Sequence, residues 1–335
     1  MKKINKKMNL ALIGAGGMGK RWVMAATHSS DFTLRVIADK DINRAKELAI
    51  MLKNCEAAAD YRNILKRDDI DTVIIAVPTF LLAPISLISL SAGKNVICEK
   101  PGAVKSSDIQ KAILLAKRKK LHYLVSFNHR FHDAFVKADK AIKEGKIGEI
   151  LFIRARYGFG GRPGYKKEWR HRKVLGGGEL LDQGVHMIDL AKYFLGNVKE
   201  IVGFAENLFW SSDVDDNAFV LLKNTKNRVA SIHVSWTNWD PIHSFEIYGT
   251  RGFLKVEGLG KRYGGEEKLI FGIRPGNFIG SPKENRVICN SDADRSLALV
   301  LKEFADAVKS GRETKPSGRD AYETLRIVEK IYAQK

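Results

Sequence analysis

Residues 8–14, Met-Asn-Leu-Ala-Leu-Ile-Gly, are a short apolar run that passes into Gly14-Ala15-Gly16-Gly17-Met18-Gly19 and then into Lys20-Arg21-Trp22-Val23-Met24-Ala25-Ala26, patterned as a helix. A glycine run alone reads as a flexible turn. Set between a buried strand and a helix, G-x-G-x-x-G leaves few folds open. Gly14 permits the tight turn, Gly16 lets the backbone approach a pyrophosphate, and Gly19 lets helix and strand pack closely. The anion would rest on the N–H groups at the helix start, around Gly17 and Met18. A second strand at 33–39 ends in Asp39, about twenty residues past the last glycine, where a carboxylate accepts ribose hydroxyls. Lys40 follows and could touch a 2′-phosphate, which Asp39 would repel. NAD is favoured, with NADP possible.

The alternation continues with a helix at 41–54, a strand at 72–77, a helix at 81–92, a strand at 95–98, a helix at 106–120 and a strand at 122–127. Such βα alternation predicts a six-stranded, doubly wound parallel sheet of Rossmann type, with a ligand beyond the carboxyl ends of its strands. Val77-Pro78 and Glu99-Lys100-Pro101-Gly102 stand at two of those ends. Lys100 there is placed to reach both a cofactor and a substrate; otherwise it is a surface lysine in a turn.

At 335 residues the chain exceeds the size at which one core stops growing, so two domains are expected, 1–127 and 128–335. Past residue 130 the pattern changes. A helix at 132–143 is followed by an alternating strand at 150–157. More strands follow at 201–209, 218–222, 229–236, 244–248 and 253–256, joined in part by short turns, and helices at 294–309 and 319–333 close the chain. Consecutive strands on short turns imply an α/β domain with a largely antiparallel open sheet.

Between these strands lies Gly176-Gly177-Gly178-Glu179-Leu180-Leu181-Asp182-Gln183-Gly184-Val185-His186-Met187-Ile188-Asp189-Leu190. On a helix Glu179, Asp182, His186 and Asp189 share one stripe. That stripe either faces water, its Asp–His pair contributing about 0.2–0.5 kcal/mol, or lies under a substrate, with His186 as proton acceptor and Asp182 beside it. Immediately upstream, residues 154–173 carry eight Lys/Arg against Glu168 alone. Arg162, Arg170 and Arg172 could grip an anion and Tyr165 and Trp169 could stack on a ring; equally, the block is a solvated loop.

The formal charge of +19 would suit nucleic acid, an acidic membrane surface or anionic small molecules. No helix-turn-helix, zinc spacing or RNP-like strand points to specific nucleic-acid binding, and no apolar run is long enough to span a membrane. Cys55, Cys98 and Cys289 lack paired spacing and fit a reducing compartment. With the basic start at 1–7 read as a solvated tail, the expected location is the cytoplasm. No metal is expected, because the Asp/His stripe lacks a third ligand.

Gly14-x-Gly16-x-x-Gly19, Ala92-Gly93-Lys94-x-Val96-x-x-Glu99-Lys100-Pro101 and Gly176-Gly177-Gly178-x-x-x-Asp182-x-Gly184-x-His186-x-x-Asp189-Leu190, in this order and spacing, resemble the Gfo/Idh/MocA family over essentially the whole chain. The resemblance implies an NAD(P)-dependent oxidoreductase that moves a hydride between nicotinamide and a secondary alcohol or ketone of a sugar, inositol or related polyol. It also implies a homodimer or homotetramer built through the C-terminal sheet. The family's catalytic lysine matches Lys100, and its Asp and His match Asp182 and His186. Leu82 and Asn95 depart from the family, standing where many members carry histidine. His186 would be the base, Asp182 would orient it, and Lys100 would donate to the substrate oxygen. The basic block adds the expectation of an anionic or nucleotide-activated sugar. The alternative is a non-catalytic NAD(P)-binding regulator or sensor of the same fold, against which the retention of Lys100, Asp182 and His186 argues.

Overall fold

The computed structural model describes residues 7–276, 279–289 and 294–334. The chain divides into two compact units, Met1–Asn128 with Arg295–Glu323, and His129–Asp294 with Thr324–Lys335.

The first unit contains β1 (Met8–Ile13), α1 (Gly17–Thr27), β2 (Phe32–Ala38), α2 (Ile42–Ala49), β3 (Glu56–Ala58), α3 (Tyr61–Leu65), β4 (Thr72–Ile75), α4 (Thr79–Ser91), β5 (Asn95–Glu99), α5 (Ser106–Lys119) and β6 (Tyr123–Ser126). The strands form one parallel sheet in the order β3-β2-β1-β4-β5-β6. Every residue of β4 and β6 is buried, as helices on both faces of a parallel sheet require. The order reverses at β1, so the loops after β1 and β4 part at the carboxyl edge and leave a crevice there.

The second unit contains α6 (Asp133–Lys143), β7 (Ile150–Gly158), α7 (Val185–Leu195), β8 (Val198–Glu206), β9 (Asn217–Asn224), β10 (Val229–Ser235), β11 (Ile242–Gly249), β12 (Gly252–Leu259), β13 (Tyr263–Ile273) and β14 (Asn285–Ile288). Its sheet runs β14-β13-β12-β11-β7-β10-β9-β8, antiparallel except for the parallel pair β7 and β10. Period-two patterning divides its faces. Ile153, Ala155, Val220, Leu222, Ile232 and Val234 are buried on the side that α7 covers, while Phe152, Phe219 and Leu221 are exposed on the other. Two further helices, α8 (Ser296–Ser310) and α9 (Gly318–Tyr332), close the chain.

The parallel and largely antiparallel sheets agree with the sequence pattern, and several details differ. Only five strands of the first sheet are legible, because β3 spans three residues with none fully buried. β13 and β14 escape the pattern, since Gly264, Gly265 and Gly272 interrupt the first and the second is exposed throughout. The strand expected to reach residue 209 ends at Glu206. The N–H groups of Leu208, Phe209 and Trp210 turn instead onto the Asp216 carboxylate, at 2.9, 2.8 and 2.8 Å. Patterning also places everything after residue 127 in the second domain, whereas 295–323 returns to the first unit, with Phe304 of α8 against Phe32 of β2.

Candidate active site

In the first unit the glycines do different work. Gly14 has φ +104°, and a Cβ there would lie 2.2 Å from the Ala76 carbonyl oxygen; a Cβ on Gly19 would lie 2.1 Å from the Gly14 oxygen. These two draw β1, the end of β4 and α1 together. A Cβ on Gly16 or Gly17 would meet nothing within 4 Å, so the backbone there is open on its outer side. Gly16 caps α1 without a side chain, leaving the first-turn N–H groups of Gly17, Met18 and Gly19 to an outside acceptor. The Asp39 carboxylate holds the loop from behind, accepting from Ala15 N at 2.7 Å and from Asp41 N at 2.9 Å, and each oxygen keeps acceptor capacity. These features fit a dinucleotide: a pyrophosphate on the α1 start and a ribose beside Asp39, with Lys40 exposed next to it.

Val77 and Pro78 follow β4 and lead into α4, and Val77 packs beside Gly14. At the end of β5 the Glu99 carboxylate is buried and accepts from Trp22 Nε1 at 2.8 Å, which ties α1 to the turn carrying Lys100. Burial pushes the Glu99 carboxyl up, opposed by the Trp22 hydrogen bond and the positive charge of Lys100. Lys100 is half-buried.

In the second unit the triple glycine is a steric necessity. Gly176 and Gly178 have φ +72° and +116°, and a Cβ on Gly177 would lie 2.0 Å from the Arg170 carbonyl oxygen. The segment after it differs from the expected uniform helix: Leu180–Gly184 is a π turn, and α7 begins at Val185. The buried Asp215 carboxylate supports this start, accepting from Leu180 N and from the Tyr332 hydroxyl, both at 2.7 Å. π turns recur at functional sites because they re-aim the side chains around them.

The polar stripe faces inward. Glu179, His186 and Asp189 are buried. Asp182 accepts from Arg170 Nε at 2.7 Å. Asp189 takes both arms of Arg130, at 2.7 and 2.5 Å, with that guanidinium lying over the Tyr193 ring. The His186 ring lies parallel to the His129 ring, centroids 3.7 Å apart. Tyr157 and Tyr263 stand nearby with ring centroids 4.9 Å apart. Burial first, then the carboxylates Glu179 and Asp182, push both hydroxyls upward; Tyr263 adds to this at Tyr157, whereas Arg262 and the Tyr157 hydrogen bond oppose it at Tyr263. They therefore remain protonated donors at neutral pH.

The basic block is paired in part within the chain. Glu168 receives Arg162 at 2.8 and 2.6 Å and Arg170 at 3.0 Å. Tyr165 is buried among Phe159, His171, Trp210 and Trp236, so its ring faces its own chain. The Trp169 face carries the Arg170 guanidinium. Arg172 is exposed. Arg154 lies at the outer sheet face and bonds Glu246 at 2.6 Å.

Sequence reading missed His129, Arg130, Asp215 and Tyr332. Asn128-His129-Arg130 directly after β6 was the one local signal available, a polar group at a parallel strand's carboxyl end. Among the described residues no group of three or more His, Cys, Asp or Glu could hold a metal ion, and no helix is long and apolar enough to cross a membrane.

Residues 8–127 match an oxidoreductase family with an NAD-binding Rossmann fold, and residues 135–255 match the Gfo/Idh/MocA C-terminal domain. A levoglucosan dehydrogenase of Pseudarthrobacter phenanthrenivorans is 29% identical over 285 residues, covering 74% of this chain and 73% of that one. A dTDP-3,4-didehydro-2,6-dideoxy-alpha-D-glucose 3-reductase of Saccharopolyspora spinosa is 29% identical over 259 residues, 76% of each chain. A levoglucosan dehydrogenase solved with NADH and L-sorbose superposes with a TM-score of 0.87 at 25% identity, over 98% of this chain and 96% of that one. Cradle, buried histidine helix and both matched domains agree: the chain belongs to the Gfo/Idh/MocA family of NAD-binding oxidoreductases.

Proposed function

We propose that this protein is an NAD(P)-dependent dehydrogenase or reductase of a sugar or polyol secondary alcohol, with Lys100, Asp182 and His186 as its acid–base group. When bound, the nicotinamide accepts or returns the hydride of the carbinol carbon; the chain must manage the proton of the oxygen. His186 takes that proton during oxidation and returns it during reduction. Lys100 donates a hydrogen bond to the oxygen as negative charge develops there. Asp182 favours the protonated imidazole by its charge, itself balanced by Arg170.

The observation that carries this reading is the buried stripe itself. Its carboxylates Asp182 and Asp189 are each gripped by an arginine, with the imidazole of His186 between them on the same helical segment. A solvated stripe would need no such pairing. The Lys100-bearing turn, tied through Glu99 to the helix that would seat the pyrophosphate, supports the other half.

The substrate class follows from the relatives, a levoglucosan dehydrogenase and a dTDP-sugar reductase. A nucleotide-activated or otherwise anionic sugar has Arg172 and the exposed Lys173 to meet it, because Arg162 and Arg170 are engaged by Glu168 and Asp182. The exposed apolar face of the second sheet, with Val202, Phe204, Phe219 and Leu221 each about half exposed or more, supports assembly into a homodimer or homotetramer through that face.

The test is nicotinamide absorbance on a panel of neutral and charged sugars with NAD and NADP, repeated for Lys100→Ala and His186→Ala. Each variant loses at least about 100-fold in kcat while NADH binding, read by fluorescence, survives. Near-normal turnover in His186→Ala removes it from the role.

A further inference from the structure

We propose that His129 is the positioning residue that fixes the ring of His186; this rests on the reading of His186 as the proton acceptor. The two imidazoles lie face to face, centroids 3.7 Å apart and planes 7° from parallel, and both side chains are buried. Face contact sets the ring plane while leaving the nitrogen-bearing edges directed away from the stack. It therefore constrains the direction from which His186 can take a proton without consuming its nitrogens.

The platform is itself held. His129 is flanked by the rings of Tyr157 at 5.5 Å, His132 at 5.5 Å and His243 at 5.8 Å, the latter two nearly edge-on. His132 is anchored through Nδ1 to Glu267 Oε2 at 2.8 Å, and the other oxygen of that carboxylate accepts from Ala134 N at 2.7 Å. Burial and His132 hold His243 down at about 3, so the His243 ring stays uncharged at neutral pH. The next residue, Arg130, clamps Asp189, which lies three positions after His186 on α7. Segment 129–130 thus meets α7 twice, through a stack and through a two-armed ion pair, and the pair fixes the spacing at which the stack forms.

The experiment compares His129→Phe, His129→Gln and His129→Ala in the full-length protein by steady-state kinetics and by histidine side-chain NMR of the cofactor-free form. Phe keeps an aromatic face without nitrogens, and Gln keeps polarity without a ring. We expect His129→Phe to retain kcat within about threefold, whereas the Gln and Ala variants lose about 10- to 100-fold in kcat with KM little changed, the scale of a misplaced catalytic group. The ring-current shift of the His186 carbon-bound protons should persist in the Phe variant and vanish in the Gln variant. Wild-type kcat in His129→Gln with loss in His129→Phe overturns the proposal in favour of a hydrogen-bonding role; so does wild-type kcat in a variant whose His186 resonances have moved. If His129→Ala fails to fold, the Phe and Gln pair still decides. Full turnover in His186→Ala sinks the base assignment itself, whereas an inactive His186→Ala beside a fully active His129→Gln sinks the positioning role alone.

Discussion

Arg170 Nε donates to Asp182 Oδ2 at 2.7 Å across a part-buried ion pair, while another nitrogen of the same guanidinium reaches Glu168 at 3.0 Å. Burial disfavours the charge on Arg170, but Asp182, Tyr165 and Glu168 together outweigh it and keep the guanidinium firmly protonated. Arg170→Leu should therefore destabilise the fold by about 1–3 kcal/mol, since a part-buried carboxylate loses its partner. It should reduce kcat/KM on neutral and charged sugars alike. Urea titration and the ratio of the two kcat/KM values check this; a loss confined to charged sugars would make Arg170 a substrate-anion site instead.

Gly178→Ala should be among the most damaging single-methyl additions in the second unit. Its backbone is left-handed, and the new Cβ would lie 2.5 Å from Asp215 Oδ1 and 2.8 Å from the Tyr332 hydroxyl, the pair that supports the π turn. A loss of about 3 kcal/mol or more is expected. Gly164→Ala, at φ +76° with nothing near its Cβ, should cost about 1–2 kcal/mol. Equal midpoints in denaturant would refute the steric account.

For the cofactor cradle the opposite separation is expected. Gly16→Ala places a methyl in open space on an extended backbone, so stability should stay within about 0.5 kcal/mol of wild type. NADH affinity should fall about tenfold or more, the equivalent of about 1.4 kcal/mol. Gly14→Ala, pressed against Ala76, should instead lose the fold. Calorimetric titration beside thermal melts would show it, and unchanged NADH affinity in Gly16→Ala would displace the pyrophosphate from this loop.

Asp39 is expected to set cofactor preference as well as loop shape, since it bonds Ala15 N and sits before exposed Lys40. Asp39→Ser should lower kcat/KM for NAD and raise it for NADP, moving the ratio about tenfold or more by removing a charge that repels a 2′-phosphate. An unmoved ratio would assign Asp39 to loop support alone.

Stability should decline in mild acid. The unfolded His243 protonates near 6.5, but burial and His132 hold it at about 3 in the fold. The unfolded chain therefore binds the extra proton across that window, so stability is full above about pH 6.5 and falls as pH drops toward 3, by at most about 1.4 kcal/mol per unit. His122, His171 and His233 are lowered too, chiefly by burial, and add to the slope. His243→Leu should flatten the decline, read as urea midpoints between pH 7.5 and 5; an unchanged slope would remove His243 as a source.

The parts of the site that were legible in the chain are those whose physics is local. Gly14, Gly16 and Gly19 lie in one turn, Asp39 ends the next strand, and Lys100 ends a strand bounded by its own turn. Spacing alone therefore encodes a phosphate cradle and the carboxyl edge of a parallel sheet. Glu179, Asp182, His186 and Asp189 were likewise legible as one stripe, but not whether it faced water.

That choice belonged to the tertiary structure, because the deciding partners are far away in sequence. Arg130 meets Asp189 across 59 positions, and Tyr332 meets Asp215 across 117. Composition reported eight cations at 154–173 and could not report that Glu168 and Asp182 hold two of them. The π turn before α7 was equally beyond sequence patterning, since its start is supported by Asp215 and Tyr332 rather than by residues within it. Local periodicity carries the backbone; burial and pairing of polar groups depend on which distant segments arrive beside them.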